Sequence, residues 1–77
     1  MKKIQILGTG CARCRQLTAV AQETADRLGL EYQLEKVTDV LQFADFGVLS
    51  VPALVVDGAV KVAGRVPSPA EMEQLLA

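Results

Sequence analysis

Two cysteines separated by two residues lie where one structural pattern of this chain gives way to another. Cys11 and Cys14 follow the short apolar run 3–7, which is typical of a buried strand, and the strand-breaking tripeptide Gly8-Thr9-Gly10. Beyond them, side chains recur at the spacing of one helical face: Leu17, Val20, Ala21, Thr24 and Leu28. The cysteine pair is therefore predicted at the N-terminus of a helix that follows a strand.

The middle of the chain alternates in the same way between strand and helix patterns. Gly29 stands where a glycine ends a helix, and residues 31–37 alternate as in a strand with one partly solvated face. Thr38 or Asp39 is predicted to cap a second helix, with Asp39 and Gln42 forming a capping box.

The last third of the chain predicts a hairpin and a final helix. Residues 53–56 and 60–63 are apolar runs on either side of Asp57-Gly58, a dipeptide favoured in two-residue hairpin turns. Ser68-Pro69-Ala70-Glu71 places a capping serine, a proline and a glutamate where a helix begins.

The predicted order is β-α-β-α-β-β-α, an α/β fold in one domain spanning residues 1–77. Two strands that flank a helix pair in parallel with a right-handed crossover, and the hairpin adds antiparallel strands. We therefore expect a four-stranded mixed sheet with helices on both faces.

Composition excludes several functions. Histidine is absent, so no Ser/His or Cys/His catalytic arrangement is available. Eight basic against nine acidic residues leave no surplus to neutralise phosphates, so no nucleic-acid partner is expected. No apolar run reaches the roughly 20 residues needed to cross a bilayer, and no export signal is recognisable, which predicts a cytoplasmic protein without a membrane partner.

The cysteine pair itself leaves two chemical interpretations open. A structural disulfide closing so short a loop stabilises weakly, by roughly 2 kcal/mol before strain. Zinc requires four ligands, which a chain with two thiols and no histidine supplies poorly. A redox dithiol and a copper(I) site both remain, since soft thiolates suit copper(I).

The surrounding residues favour thiol chemistry. Cys11 at a helix N-terminus meets unpaired backbone N–H groups and the positive end of the helix dipole. Arg13 and Arg15 add positive charge, and such settings lower the pKa of a cysteine. Cys14 lies three residues further on, so both sulfurs can share one helical face.

The order of elements, with Cys-x-x-Cys opening the first helix and Val51-Pro52 before the third strand, resembles the thioredoxin fold. The chain is most similar to small thioredoxin-like and glutaredoxin-like redox-active disulfide proteins. Copper(I) metallochaperones of similar size have the order β-α-β-β-α-β, and they carry a methionine where this chain has Thr9. The copper(I) metallochaperone, binding through Cys11 and Cys14, is therefore kept as the alternative.

The resemblance implies an enzyme, a protein-disulfide oxidoreductase without cofactor or metal that reduces disulfide-containing proteins as an electron carrier. It implies that Cys11 is the nucleophile and Cys14 the resolving thiol. Four neighbours are expected to support them: Thr9, Gly10, Ala12 and Arg13. Val51, a cis Pro52 and Gly64 are implied to bind substrate. A monomer is expected.

Two departures from better-known relatives bear on proton transfer and on the electron donor. Thioredoxin carries a buried aspartate where this chain has Gln5, so no internal carboxylate is available for proton transfer. Glutaredoxin has two glycines and an acidic residue that help to hold glutathione, whereas here Gly64 is followed by Arg65, which could meet only one of the two glutathione carboxylates. A thioredoxin-reductase-type flavoprotein is therefore predicted as the donor.

Overall fold

Strands and helices succeed one another in the predicted order in the computed structural model, which describes all 77 residues. The strands are β1 (Lys2–Leu7), β2 (Tyr32–Val37), β3 (Ala53–Val56) and β4 (Ala59–Ala63). The helices are α1 (Ala12–Arg27), α2 (Val40–Asp45) and α3 (Pro69–Leu76). None of these helices has the length and apolarity needed to pass through a bilayer.

The four strands form one mixed sheet in the order β2-β1-β3-β4. β1 pairs in parallel with β2, so that Leu7 lies opposite Val37, and antiparallel with β3, so that Leu7 also lies opposite Ala53. Ala53 in turn faces Ala63 of β4. The end of β1, the end of β2, the start of β3 and the end of β4 therefore share one edge of the sheet.

Helices cover both faces of the sheet, as the sequence predicts. Side chains alternate along each strand. On one face, α1 and α3 complete a core of ten buried residues: Ile4, Ile6, Leu17, Ala21, Ala25, Leu54, Val56, Val62, Met72 and Leu76. On the other face, α2 and the loop after it close a smaller core of six: Leu7, Val37, Phe43, Val48, Ala53 and Val55. The central strands β1 and β3 are thus buried on both sides.

Local backbone chemistry ends and starts the elements at the predicted places. Gly29 has a φ of +69° after α1, and the N–H groups of Gly29 and Leu30 bond to the carbonyls of Asp26 and Ala25, which is a Schellman motif. Asp57 and Gly58 both have positive φ and join Val56 to Ala59 as a two-residue turn.

The predicted capping box at the start of α2 is wrong. Asp39 is the N-cap, but its Oδ1 accepts the N–H of Leu41 at 2.9 Å, and the side chain of Gln42 makes no return bond to Asp39. The cap thus bonds to the second residue of α2 instead of the third, which is an equally common arrangement. At α3 the prediction is confirmed: Ser68 Oγ accepts the N–H of Glu71 at 3.2 Å.

Candidate functional site

The sheet edge at the end of β1 gathers the residues singled out by the sequence. Gly8, Thr9 and Gly10 lead directly from β1 to Cys11 at the start of α1. Because Leu7 pairs with Ala53, the preceding Pro52 lies beside the beginning of that loop. Gly64 follows Ala63, which pairs with Ala53 from the other side. Segments far apart in sequence thus meet at one edge.

Cys11 is the N-cap of α1. Its backbone is extended, with φ −70° and ψ 168°, and its Sγ accepts the backbone N–H of Cys14 at 3.3 Å. The same Sγ lies 2.7 Å from the Sγ of Cys14. A thiol therefore takes the capping position that Ser, Thr, Asp or Asn occupies in most helices. Cys11 is exposed, as a nucleophile must be, and Cys14 is buried.

Gly8 makes room for the buried thiol. A Cβ on Gly8 would overlap the Sγ of Cys14 and would lie 3.0 Å from its Cβ. Gly8 is itself buried, and its N–H donates to the carbonyl of Val37 at 3.0 Å. The sequence marks Gly8 only as a strand breaker. A glycine directly after a strand is the only sequence signal for this role, and no side-chain periodicity indicates that Gly8 contacts Cys14.

Hydrogen bonding lowers the pKa of the Cys11 thiol. The side chain of Cys14 has the largest effect, followed by the backbone N–H of Cys14, and partial desolvation opposes both. The N–H of Arg13 contributes in the same direction. No acidic residue lies in the first turn of α1 to oppose a negative charge on the sulfur. Cys11 is thus held closer to the thiolate form than an ordinary cysteine.

A small pocket on the α1 side of the sheet adjoins Cys14. Gly8, Gly10 and Cys14 form one wall, and Arg15, Thr18, Lys36 and Thr38 are among the other lining residues. Arg15 Nη1 donates to the carbonyl of Gly10 at 3.2 Å, and Thr18 Oγ1 donates to that of Cys14 at 2.9 Å. Thr9, Ala12 and Arg13 are exposed on the outer side of the loop and first turn.

Val51 and Pro52 form the segment that enters β3, and the peptide bond between them is cis. The carbonyl of Pro52 accepts the N–H of Gly64 at 2.8 Å. The backbone groups of Val51 have no backbone partner, and its side chain is 38% exposed. Gly64 has a φ of +84°, and a Cβ there would lie 3.0 Å from the Cβ of Ser50, so a glycine lets this segment approach β4 closely.

Arg65 and Gln5 each bind a glutamate, and the sequence does not predict either partner. Arg65 donates through Nη1 to Glu71 Oε1 at 2.6 Å and through Nη2 to Glu71 Oε2, a two-bond ion pair that lowers the pKa of the glutamate. Gln5 is buried and donates to Glu35 Oε1 at 3.3 Å. Arg65 is thus already engaged by a carboxylate of its own chain. No group of three or more metal-ligating side chains is present.

Comparison with known proteins agrees with this geometry. The chain matches the Thioredoxin domain family over residues 2–77. It is 42% identical over 76 residues to a thioredoxin of Methanothermobacter thermautotrophicus, covering 99% of both chains. It is 33% identical over 76 residues to a thioredoxin of Methanocaldococcus jannaschii, covering 99% of this chain and 87% of that one.

The copper(I) alternative has no support from these relatives. The element order also differs from that of the copper(I) domains, because the chain ends in the helix α3 where those domains have a strand. The family match implies disulfide-containing proteins as the class of substrate. This chain belongs to the thioredoxin family and is a thiol–disulfide oxidoreductase.

Proposed function

We propose that the chain is a small electron carrier that reduces protein disulfides through Cys11 and Cys14. The observation that carries the proposal is the pairing of one exposed and one buried thiol whose sulfurs lie 2.7 Å apart. A nucleophile must reach a partner, and a resolving thiol must wait behind it, shielded from other disulfides. The exposed Cys11 meets the first requirement, and the buried Cys14 meets the second.

The proposed reaction has two exchange steps. The Cys11 thiolate attacks one sulfur of the substrate disulfide, which forms a mixed disulfide and releases the other substrate sulfur as a thiolate. Cys14, as its thiolate, then attacks Cys11 Sγ and releases the second substrate thiolate. Two electrons and two protons pass from the dithiol to the substrate, and the chain is left with a Cys11–Cys14 disulfide.

The protein environment favours the first step. The hydrogen bonds that lower the pKa of Cys11 raise its thiolate fraction at neutral pH. The N–H of Cys14 points at the Cys11 sulfur, the atom that the Cys14 thiolate must reach in the second step. Thr9, Gly10, Ala12 and Arg13 are proposed to support this turn, since the Gly10 carbonyl anchors Arg15 and the N–H of Arg13 helps to lower the pKa of Cys11.

Val51, Pro52 and Gly64 are proposed to bind the substrate backbone. The N–H and C=O of Val51 have no backbone partner and belong to a segment that leads into β3 beside the Cys11 loop. An extended substrate strand can pair with such an edge. Gly64 holds the segment through its bond to the Pro52 carbonyl, which leaves the Val51 groups available to a substrate.

A thioredoxin-reductase-type flavoprotein is proposed as the electron donor, with the chain acting as a monomer in the cytoplasm. The pairing of Arg65 with Glu71 supports this choice over glutathione, because it occupies the guanidinium that would otherwise meet a glutathione carboxylate. A dithiol that acts as a reductant also suits a reducing compartment.

The test is turnover of a disulfide-bonded protein with NADPH and a thioredoxin reductase, comparing the unaltered chain with Cys11→Ser and Cys14→Ser. Both variants should lose steady-state turnover. An Ala19→Ser control, which also introduces a serine into α1, should keep it, since Ala19 is exposed and lies more than one helical turn beyond Cys14. Turnover that survives in Cys11→Ser would refute the assignment.

A further inference from the structure

The rim around the nucleophile carries unpaired positive charge, although the whole chain has a net charge of −1. Arg13 lies between the cysteines, and Arg15 and Lys36 line the pocket that adjoins Cys14. None of the three belongs to a salt bridge, because the only two in the chain join Arg27 to Glu73 and Arg65 to Glu71.

No free carboxylate offsets this charge within the pocket. Its remaining lining residues are Ile6, Gly8, Gly10, Cys14, Thr18 and Thr38. Asp39 follows Thr38, but its carboxylate is engaged in capping α2. Glu35 precedes Lys36 on β2. Because neighbouring side chains on a strand point to opposite faces, the Glu35 carboxylate lies on the other side of the sheet, where it accepts a hydrogen bond from Gln5. No carboxylate of the chain therefore neutralises Arg15 and Lys36 within the pocket.

Two features place these cations beside the loop that carries Cys11. Arg15 is held against the loop by its bond to the Gly10 carbonyl, one residue before Cys11. Lys36 extends from β2 on the same face as Ile6, which packs against α1. A side chain next to a disulfide docked at Cys11 would thus meet positive charge on the Lys36 side of the loop.

We propose that the pocket lined by Arg15 and Lys36 binds a carboxylate that flanks the disulfide of the substrate, so that acidic disulfide segments are the preferred substrates. This inference rests on the proposed function and adds a substrate class to it. Exposed charge pairs and the field of a basic rim act chiefly on association, and added salt screens them.

The test uses three synthetic peptides with one intramolecular disulfide each, identical except for Glu, Gln or Lys on both sides of the bridge. The measured quantity is the rate constant at which each peptide oxidises the reduced protein, divided by its rate constant with dithiothreitol. Dithiothreitol carries no charge other than that of its attacking thiolate, so it corrects for the effect of the flanking charges on thiolate attack at the peptide disulfide.

At low salt the Glu peptide should react roughly three- to tenfold faster than the Gln peptide, and the Lys peptide slowest, which is the size of effect that one or two exposed charge pairs produce. Lys36→Gln should reduce the Glu-to-Gln ratio about threefold, and Lys36→Arg should restore it. Lys61→Gln is the matched control, because Lys61 lies on β4, the outermost strand on the side of the sheet away from β2. High salt should abolish the preference in the unaltered protein.

Equal corrected rates for all three peptides would overturn the inference and leave the thiol chemistry intact. A Glu-to-Gln ratio that is unchanged in Lys36→Gln, or that Lys61→Gln reduces equally, would also overturn it, because the charge would then act from elsewhere. If no peptide oxidises the protein at all, the proposed function itself fails.

Discussion

The Sγ of Cys11 accepts the backbone N–H of Cys14 at 3.3 Å while lying 2.7 Å from the Cys14 Sγ. One residue thus supplies both of the largest contributions that lower the pKa of the other. The helix cap, the acidity of the nucleophile and the position of the resolving thiol therefore depend on the same contact.

That contact predicts the pH dependence of Cys11. A lowered pKa keeps the thiolate populated at neutral pH, so alkylation of Cys11 should slow only as the pH falls through a midpoint below that of an ordinary cysteine. Cys14→Ala removes the largest stabilising hydrogen bond and should move the midpoint upward. Alkylation of the reduced protein against pH, read by peptide mapping, measures both. Faster modification of Cys14 at neutral pH would reverse the two roles.

Gly8→Ala should displace the resolving thiol. The added methyl group meets the side chain of Cys14, which is buried, and overpacking of this kind costs about 1–3 kcal/mol. Urea unfolding of the reduced protein should show that loss, together with slower closure of the Cys11–Cys14 disulfide. Gln16→Ala, at an exposed position of α1 with no assigned role, is the control. Equal stability of the two variants would show that the loop yields without cost.

Truncating a buried leucine should lower the free energy of unfolding far more than truncating an exposed one. Leu54 is fully buried on β3, and Leu54→Ala should cost about 2–5 kcal/mol of the free energy of unfolding. Leu49 is 100% exposed, so Leu49→Ala should change stability by less than about 0.5 kcal/mol. Denaturant titration of both variants decides it. A comparable loss in Leu49→Ala would mean that this side chain is covered in solution.

The sequence predicts the order of elements well, because strand and helix periods and turn residues are local signals. The residues of β3, the Asp57-Gly58 turn and the Gly29 terminus of α1 lie where the pattern places them. Local signals do not predict contacts between segments that are distant in the sequence. The closeness of Gly8 to Cys14 and the partners of Arg65 and Gln5 depend on how the loops and strands pack. Val40 has helical spacing with Phe43 yet is 61% exposed, because a six-residue helix buries little beyond one anchor.

The contact between Arg65 and Glu71 makes the proposed choice of electron donor testable. With Arg65 held by Glu71, reduced glutathione and glutathione reductase should support much slower turnover than NADPH and a thioredoxin reductase. Glu71→Gln frees the guanidinium and should raise the rate with glutathione while leaving the flavoprotein rate nearly unchanged. Efficient turnover of the unaltered chain with glutathione alone would overturn the choice of donor but not the chemistry of the two thiols.

The mass of the products of one reaction cycle tests the central claim most directly. The reduced protein is mixed with a protein that contains a single accessible disulfide, quenched with acid and weighed intact. The unaltered chain should lose two hydrogens as a monomer, and the substrate should gain two. Cys14→Ser should instead accumulate a mixed disulfide that peptide mapping assigns to Cys11. A mixed disulfide on Cys14 in Cys11→Ser formed at the same rate, or oxidation of the unaltered chain only to a linked dimer, would contradict the proposed roles of the two thiols.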